Sequence, residues 1–535
     1  VNSKLTLDFG MRFYWIQPQF DKALQTSSFN PALYNSAQQA VLRQPVSVNG
    51  VRQSRNPVTG EIGPAALIGT IVNNGQGFVG PLYANGMGRA GQNGYPAGLI
   101  NGSGIKLAPR FGLAYQFLPK TVLRMGGGVF FDRFQGNPVF DMLPNPPSTT
   151  RPTFFYGNLS NIQPASAGVF APASVNGFDV NGNIPTTYNW NASIQRELPG
   201  KIVLDVGYVG SKSTHNIYRT NVNSVPFGSA WLPQNQDPVN ANPLFDGSTT
   251  KPVNLYRPFP GYENTNVLSF GAPSHYHSMQ ISANRRMAQG LTFGLAYTWS
   301  RTIGLVSGDG DFVHPVSPKL ANYGPLAFDI PHVFVFNWVY DVPKLARSGN
   351  FLDNPVGRGV FNGWQISGIW EAQSGRPDNL SFSIDGLGNL NERYTGSVNI
   401  GPRMFINGNP NKGGLDQFSF INTNVFALPG VKQGTGYEHG NFPVRRPGFY
   451  NVDASIFKNI SLGAESRFLQ LRMEMFNAFN NPQFNDFNRS MVFNRSGQII
   501  NLPTVLGGNG GRFGFGAVTG TRDPRIIQLA AKIYF

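Results

Sequence analysis

The residues best suited to chemistry in this sequence are few and scattered. His275-Tyr276-His277 sets two imidazoles two positions apart, a spacing that could hold a metal ion. Only two candidate ligands are close, whereas a structural zinc takes four, so a pair at a strand entrance is the better reading. Ser307-Gly308-Asp309-Gly310-Asp311 offers carboxylates to Ca²⁺ but lacks the spaced third carboxylate and closing Glu of an EF-hand, which favours a solvated turn. Gly75-Gln76-Gly77-Phe78-Val79-Gly80 spells a dinucleotide fingerprint by letter but has no helix after it, and reads as a glycine-rich loop. The histidines, His215, His275, His277, His314, His332 and His439, show no spacing to a Ser or carboxylate that would build a general base. No catalytic, cofactor-binding or metal-ligating set is selected, and the chain is read as a non-enzyme that works by binding.

The charges that remain of interest sit on alternating segments. In a β-strand every second side chain shares a face. From residue 4, Leu5, Leu7, Phe9, Met11, Phe13 and Trp15 take one face, and Thr6, Asp8, Gly10, Arg12 and Tyr14 the other. Twelve such segments are expected, at 4–16, 105–117, 120–132, 187–198, 200–211, 276–287, 290–300, 331–342, 362–374, 449–460, 466–478 and 525–535. The eighth is apolar on both faces over much of its length, which leaves its register open. Asp8, Arg12, Lys106, Arg110, Arg124, Asp205, Glu371, Arg472 and Glu474 fall on the polar faces. They suit the watery wall of a lumen, where they could also touch a plug or a passing ligand.

The connections alternate in length. Leu118-Pro119, Pro199-Gly200, Ala288-Gln289-Gly290 and the run 461–465 are short, whereas 17–104, 133–186, 212–275, 301–330, 375–448 and 479–524 are long. The stretch 343–361 is longer than a turn yet falls on the short side by parity. Long connections gathered at one end describe an outer-membrane barrel, with tight periplasmic turns and long outer loops. Lipid offers the backbone no partners, so such a sheet must close. An even strand number puts both termini on the periplasmic side. Trp15, Phe130, Phe131, Tyr188, Trp190, Tyr297, Trp299, Trp338, Tyr340, Trp364 and Trp370 lie near strand ends and suit interfacial aromatic girdles.

Composition agrees. Only 13% of the 535 residues are charged and 13% are aromatic, against roughly 25% charged in an average globular chain. No run of 18 apolar residues provides a membrane helix. The net charge of +15 is dispersed, without the stripe that nucleic acid demands, so no nucleic-acid partner is expected. It suits loops beside anionic lipopolysaccharide and lipid. Cysteine is absent, which removes disulfides and thiolate metal sites from consideration. The start, Val1-Asn2-Ser3-Lys4-Leu5, enters a strand at once, and an upstream part is expected to precede it.

Several segments resemble the barrel of Oar-like TonB-dependent receptors. They are Asn191-Ala192-Ser193-Ile194-Gln195-Arg196-Glu197-Leu198-Pro199-Gly200, Val206-Gly207-Tyr208-Val209-Gly210-Ser211-Lys212, Ala296-Tyr297-Thr298-Trp299-Ser300 and the run 361–369. Gln373-Ser374-Gly375-Arg376-Pro377, the run 451–459, Glu474-Met475-Phe476-Asn477-Ala478-Phe479-Asn480 and Asp523-Pro524-Arg525-Ile526-Ile527-Gln528-Leu529 continue the set in order. The resemblance implies an all-β, antiparallel transmembrane β-barrel of twenty-two strands, of which these twelve would be the last. It implies residues 1–535 as one partial receptor-barrel domain, with a plug, a TonB box and an N-terminal domain outside it. It also implies uptake of a siderophore, oligosaccharide or peptide with no cofactor, driven by the TonB complex. The last strand ends on an aromatic after alternating apolar residues. With Leu529, Ile533, Tyr534 and Phe535 it resembles the C-terminal signal read by the barrel assembly machinery. A structural or adhesive barrel, a passive pore and a soluble all-β binding protein are the rival readings. By the first reading, this part alone would leave two raw sheet edges, and isolated it is expected to misfold or curl into an open sheet.

Overall fold

In the computed structural model, residues 3–72, 84–149, 169–413, 417–464, 467–503 and 511–535 are described. The Gly75–Gly80 fingerprint and Glu465 of the expected 461–465 turn lie outside them.

All twelve expected strands are present and form one antiparallel wall, joined by two minor strands into a 14-stranded sheet. In chain order they are β1 (Leu5–Trp15), β2 (Ile105–Leu118), β3 (Thr121–Phe131), β4 (Thr186–Leu198), β5 (Ile202–Asn221), β6 (Tyr262–Ala288), β7 (Leu291–Gly304), β8 (His332–Asp341), β9 (Trp364–Gln373), β10 (Phe449–Ala464), β11 (Arg467–Phe476) and β12 (Ile526–Tyr534). Each pairs with its sequence neighbours. Among the described residues no strand pairs with the outer edge of β1 or of β12, so the wall is an open sheet with two edges.

Register carries the two-faced pattern from strand to strand. Leu5, Leu7, Phe9, Phe13 and Trp15 lie opposite Tyr115, Leu113, Phe111, Leu107 and Ile105. The row from Leu5 continues through Tyr115, Leu123, Ile194, Val206, Ile281, Tyr297 and Phe334 to Ala372. It starts on the first residue of β1 and arrives at the next-to-last residue of β9, the stagger of tilted strands. Phe9, Phe13 and Trp15 are 84%, 71% and 73% exposed, as hydrocarbon-facing groups are when lipid is left out. Pairing also settles β8: Phe334, Phe336, Trp338 and Tyr340 join the outward rows, and Val333, Val335 and Val339 the inward ones.

The short connections are tight. Gln289 and Gly290 both have positive φ, +52° and +76°, between the paired Ala288 and Leu291. That is the type I′ hairpin, whose twist matches the strands it joins. The ambiguous 343–361 stretch carries a short helix, Pro355–Phe361, capped by Asn354 Oδ1 accepting from Gly357 N at 2.9 Å. Asn362 clamps its base through Ala346, accepting from its N–H and donating to its carbonyl.

The expectation that 212–275 is a loop is corrected. β5 and β6 run past the wall as a ribbon, pairing as far as Asn221 and Asn266. A bulge between Ser213 and Asn216, with His215 at φ +61°, breaks the alternation there and hides the strand from a period-two reading. The ribbon is held by cap contacts, for Ile217, Leu268 and Phe270 are buried among Leu99, Phe134 and Phe178 from the first two long connections.

The long connections, all at one end of the wall, fold into a packed cap. Phe29, Met87, Val175 and Tyr262 make one core, with Phe259 and Tyr34 packed against it in edge-on ring contacts of 4.9 to 5.3 Å. Burial pushes the Tyr34 hydroxyl up to about 12, and it donates to the Pro260 carbonyl. The fifth and sixth connections share a larger core, with Phe426, Phe487, Met491, Phe493 and Phe515 shut from solvent. There Ser381–Ile384 lies parallel to Ser490–Phe493.

Candidate ligand path along the inner wall and cap

The inward rows hold the polar groups expected of them. Asp8, Arg12, Lys106, Arg110, Arg124, Asp205, Glu371, Arg472 and Glu474 all occupy register positions on the face opposite the Phe9 row. Cations prevail at one side of the wall and carboxylates at the other, with Asp8 on β1 and Arg472 on β11 as the exceptions. Arg12, Lys106 and Arg110 cluster on β1 and β2, and none of them forms an ion pair among the described residues. Gly10 and Gly128 flank Arg110 on either side and leave its chain room, and its guanidinium lies over the Phe130 ring at 4.9 Å. Glu371, Asp453 and Glu474 line β9 to β11 at the other side of the wall.

A cavity of about 760 Å³ runs across the inner face of β6 to β11 and takes in part of the acidic region, with Asn284, Arg286, Asn337, Asp453, Ser455 and Glu474 on its lining. Gly294 forms part of its floor. A Cβ there would stand 2.6 Å from Asn337 Oδ1 and 3.2 Å from Asn284 Oδ1, so a side chain would push both amides away. The volume is within the range of small-ligand sites, roughly 300–1,000 Å³.

Contacts tie the cap above this wall together. Asn145 Nδ2 of the second connection donates to Ser27 O of the first at 2.6 Å. Arg52 of the first pairs with Asp237 of the third at 2.7 Å, and Asp246 of the third with Arg393 of the fifth at 2.8 Å. Asp329 of the fourth connection is fully buried. It accepts from Thr302 N at 2.6 Å, from Arg301 at 3.0 Å and from Arg445 of the fifth. Asp378 of the fifth binds Arg489 of the sixth. Arg257, 7% exposed, donates to Asn223 O and Asn254 Oδ1, and burial lowers its pKa. None of these ties was legible in the sequence.

The other sequence candidates resolve plainly. His275 and His277 lie inside β6 on the outward rows, not at a strand entrance. His277 Nδ1 is 2.7 Å from Tyr208 Oη with the rings stacked, and Tyr297 and His332 repeat the arrangement at 2.9 Å. They belong to the aromatic girdle with Trp190 and Trp299. Phe130 leaves that girdle because the register turns it inward over Arg110. Phe131, the last residue of β3, lies edge-on against Tyr14, an inward residue. Asp311 spends its carboxylate on the backbone N–H groups of Ser307 and Gly308, which makes the 307–311 run a self-closed turn. Among the described residues no three His, Cys, Asp or Glu side chains gather as a metal site.

At the C-terminus, Leu529 and Ile533 stand on the outward rows opposite Met473 and Leu469 and are 75% and 64% exposed. Tyr534 takes the inward face, stacked on Phe468 at 4.4 Å with Arg472 donating to its hydroxyl. Phe535 follows the strand and is 99% exposed.

Comparison with solved structures finds matches of low similarity. The ferric-catecholate import receptor Fiu from Escherichia coli K12 matches at 10% identity and a TM-score of 0.36, over 100% of this chain and 43% of that one. The outer membrane transporter YddB from E. coli matches at 9% identity and 0.37, over 74% and 39%. The ferripyoverdine receptor of Pseudomonas aeruginosa matches at 10% and 0.34, over 81% and 33%. The chain thus spans less than half the length of each of these structures. No curated protein matches the sequence. A family described as the outer membrane beta barrel domain matches residues 1–528. With a wall greasy on one face and polar on the other, tight turns at one end and long connections at the other, the chain belongs to the outer membrane β-barrel domain family, and its place is the bacterial outer membrane.

Proposed function

We propose that the chain is the barrel part of a TonB-dependent receptor that takes up a nutrient across the outer membrane. The observation that carries this reading is the pairing of a charged inner wall with a cap in which the long connections brace one another. A passive pore works with an open mouth. A braced cap instead suits capture of a scarce ligand, followed by admission driven from the periplasm. The two unpaired edges, β1 and β12, support further strands closing the wall, twenty-two in all by resemblance, around a plug that would meet the inward charges. Residues 1–535 then form one partial barrel domain. Leu529, Ile533, Tyr534 and Phe535 on the β12 edge serve as the signal for the barrel assembly machinery. Outward rows meet lipid, and the cap faces lipopolysaccharide. The Oar-like subtype, the TonB partner and the nutrient are parts of the same proposal.

The test is uptake in cells that express the entire gene, with and without TonB, using size-graded labelled oligosaccharides and ferric chelates. Surface binding that persists without TonB, with accumulation lost, is the expected result. Accumulation that continues without TonB would establish a pore and end the receptor reading.

A further inference from the structure

The cap holds a second cavity, of about 480 Å³, between the fourth and fifth long connections. Its lining is rich in asparagine, and the orientation of each amide is fixed by a partner that can only donate or only accept. Asn322 Oδ1 accepts from His314 N at 2.8 Å. Asn379 Oδ1 accepts from Phe442 N at 2.6 Å, and Asn441 Oδ1 accepts from the Arg403 guanidinium at 3.3 Å. With their oxygens taken by donors, all three turn NH₂ groups to other uses. Asn391 is fixed the opposite way: its Nδ2 donates to Val398 O at 3.0 Å, which leaves Oδ1 to accept. His439 Nδ1 lies 2.6 Å from Gly440 O, so that nitrogen carries the proton. Its Nε2 is then a buried acceptor without a donor among the described residues.

The charges here, Arg403 and Glu438, attract one another without forming an ion pair among the described residues. Arg403 is spent on Ala321 O at 2.6 Å, His439 O at 2.7 Å and Asn441. Glu438 accepts from Thr435 Oγ1 at 2.8 Å and from Gly436 N at 3.0 Å. Burial, reinforced by the Arg403 charge, lowers the pKa of His314 and His439 and keeps both rings neutral. Two aromatic rings, Phe312 and Phe382, complete the lining. The cation on the lining, Arg403, forms no ion pair among the described residues, but its guanidinium is committed to the Ala321 and His439 carbonyls and to Asn441, so a ferric siderophore or a carboxylate ligand would have to displace those bonds.

We propose that this cavity binds a neutral saccharide. The amides of Asn322, Asn379 and Asn441 donate to its oxygens, Asn391 Oδ1 and His439 Nε2 accept from its hydroxyls, and Phe312 and Phe382 pack against its apolar ring faces. Sugar hydroxyls both donate and accept, which is what a lining of fixed donors and acceptors selects. The proposal deepens the receptor reading by naming the ligand class. It is tested on the product of the entire gene purified in detergent, where binding is read without transport, so either reading can fail alone.

Calorimetric titration with maltohexaose, cellohexaose and xylohexaose is compared with hexagalacturonate and ferric citrate. At least one neutral hexaose is expected to bind with Kd below about 1 mM. Asn379→Asp and Asn441→Asp keep an oxygen for Phe442 N and for Arg403 and replace each NH₂ donor by a charged carboxylate oxygen, which can only accept. Each is expected to weaken binding about tenfold or more, with an unchanged trypsin pattern of the cap. The proposal is overturned if no neutral hexaose binds, if only the anions bind, or if both Asp variants bind as the parent does.

Discussion

Asp329→Ala is the most informative single change in the cap. The carboxylate it removes is fully buried and joins three groups: the Thr302 N–H, Arg301 and Arg445. The Arg301 side chain is 47% exposed and stays hydrated, so its share is under about 1 kcal/mol. Arg445, 24% exposed, keeps its bonds to the Asp329 and Gly375 carbonyls and loses only the ionic partner. Thr302 N loses a charged acceptor in a buried place, worth about 1.5–3 kcal/mol. Together these come to about 3 kcal/mol, the low end for breaking a buried pair. Spent on local opening, that is a rise of roughly 100-fold or more in the open population where the fourth and fifth connections meet. Hydrogen exchange read by mass spectrometry should show faster exchange at 374–379, 444–448 and around Thr302. The β7–β8 ladder and the heat-modifiable gel shift should stay unchanged. Unaltered exchange in those segments would show that the Asp329 node does not brace the cap. Loss of the gel shift would show that cap and wall do not open separately.

Other outcomes follow from the same geometry. Val206→Arg puts a cation on an outward row and should cost about 2–4 kcal/mol at the bilayer midplane, read as lost urea resistance in lipid; Ser282→Arg, opposite Asp205 on the inward face, should be tolerated. His314 and His439 have folded pKa values below the ordinary 6.5, so below that pH the unfolded cap binds more protons. With Arg403 and Glu438 as the charges facing them, cap stability should be complete above about pH 6.5 and decline as pH falls further; protease resistance of 374–448 that is flat down to about pH 5 would contradict this. Leu529→Asp or removal of Phe535 should lower the yield of assembled barrel in cells while leaving synthesis unchanged, measured by the fraction reaching the outer membrane.

The wall was legible because its information is local. Leu5, Leu7, Phe9, Met11, Phe13 and Trp15 declare a face within one strand, and the tight turns fix how that face passes to the next. β8 could not be oriented from its own residues, since Val333 and Phe334 are both apolar; the pairing of Phe334 with Tyr297 decided it. The ribbon beyond Ser213 was missed because His215 interrupts the alternation. The cap was missed for a different reason. Its bonds join residues far apart in sequence, such as Asp329 to Arg445 and Phe29 to Tyr262, and neither partner carries a local sign of the other. Asn379 and Asn441 look like ordinary loop amides until Phe442 and Arg403 fix which way each points.

Because each outer excursion leans on another, the outward-facing surface of the cap is a mosaic in which neighbouring patches come from distant stretches of chain. Antibodies or phages that grip it would read composite shapes, and short synthetic loop peptides would make poor immunogens. Swapping one excursion for that of a homologue would orphan charges such as Asp237 or Asp246 at its seams. A change of nutrient by such grafting calls for exchanging the excursions together, as a set.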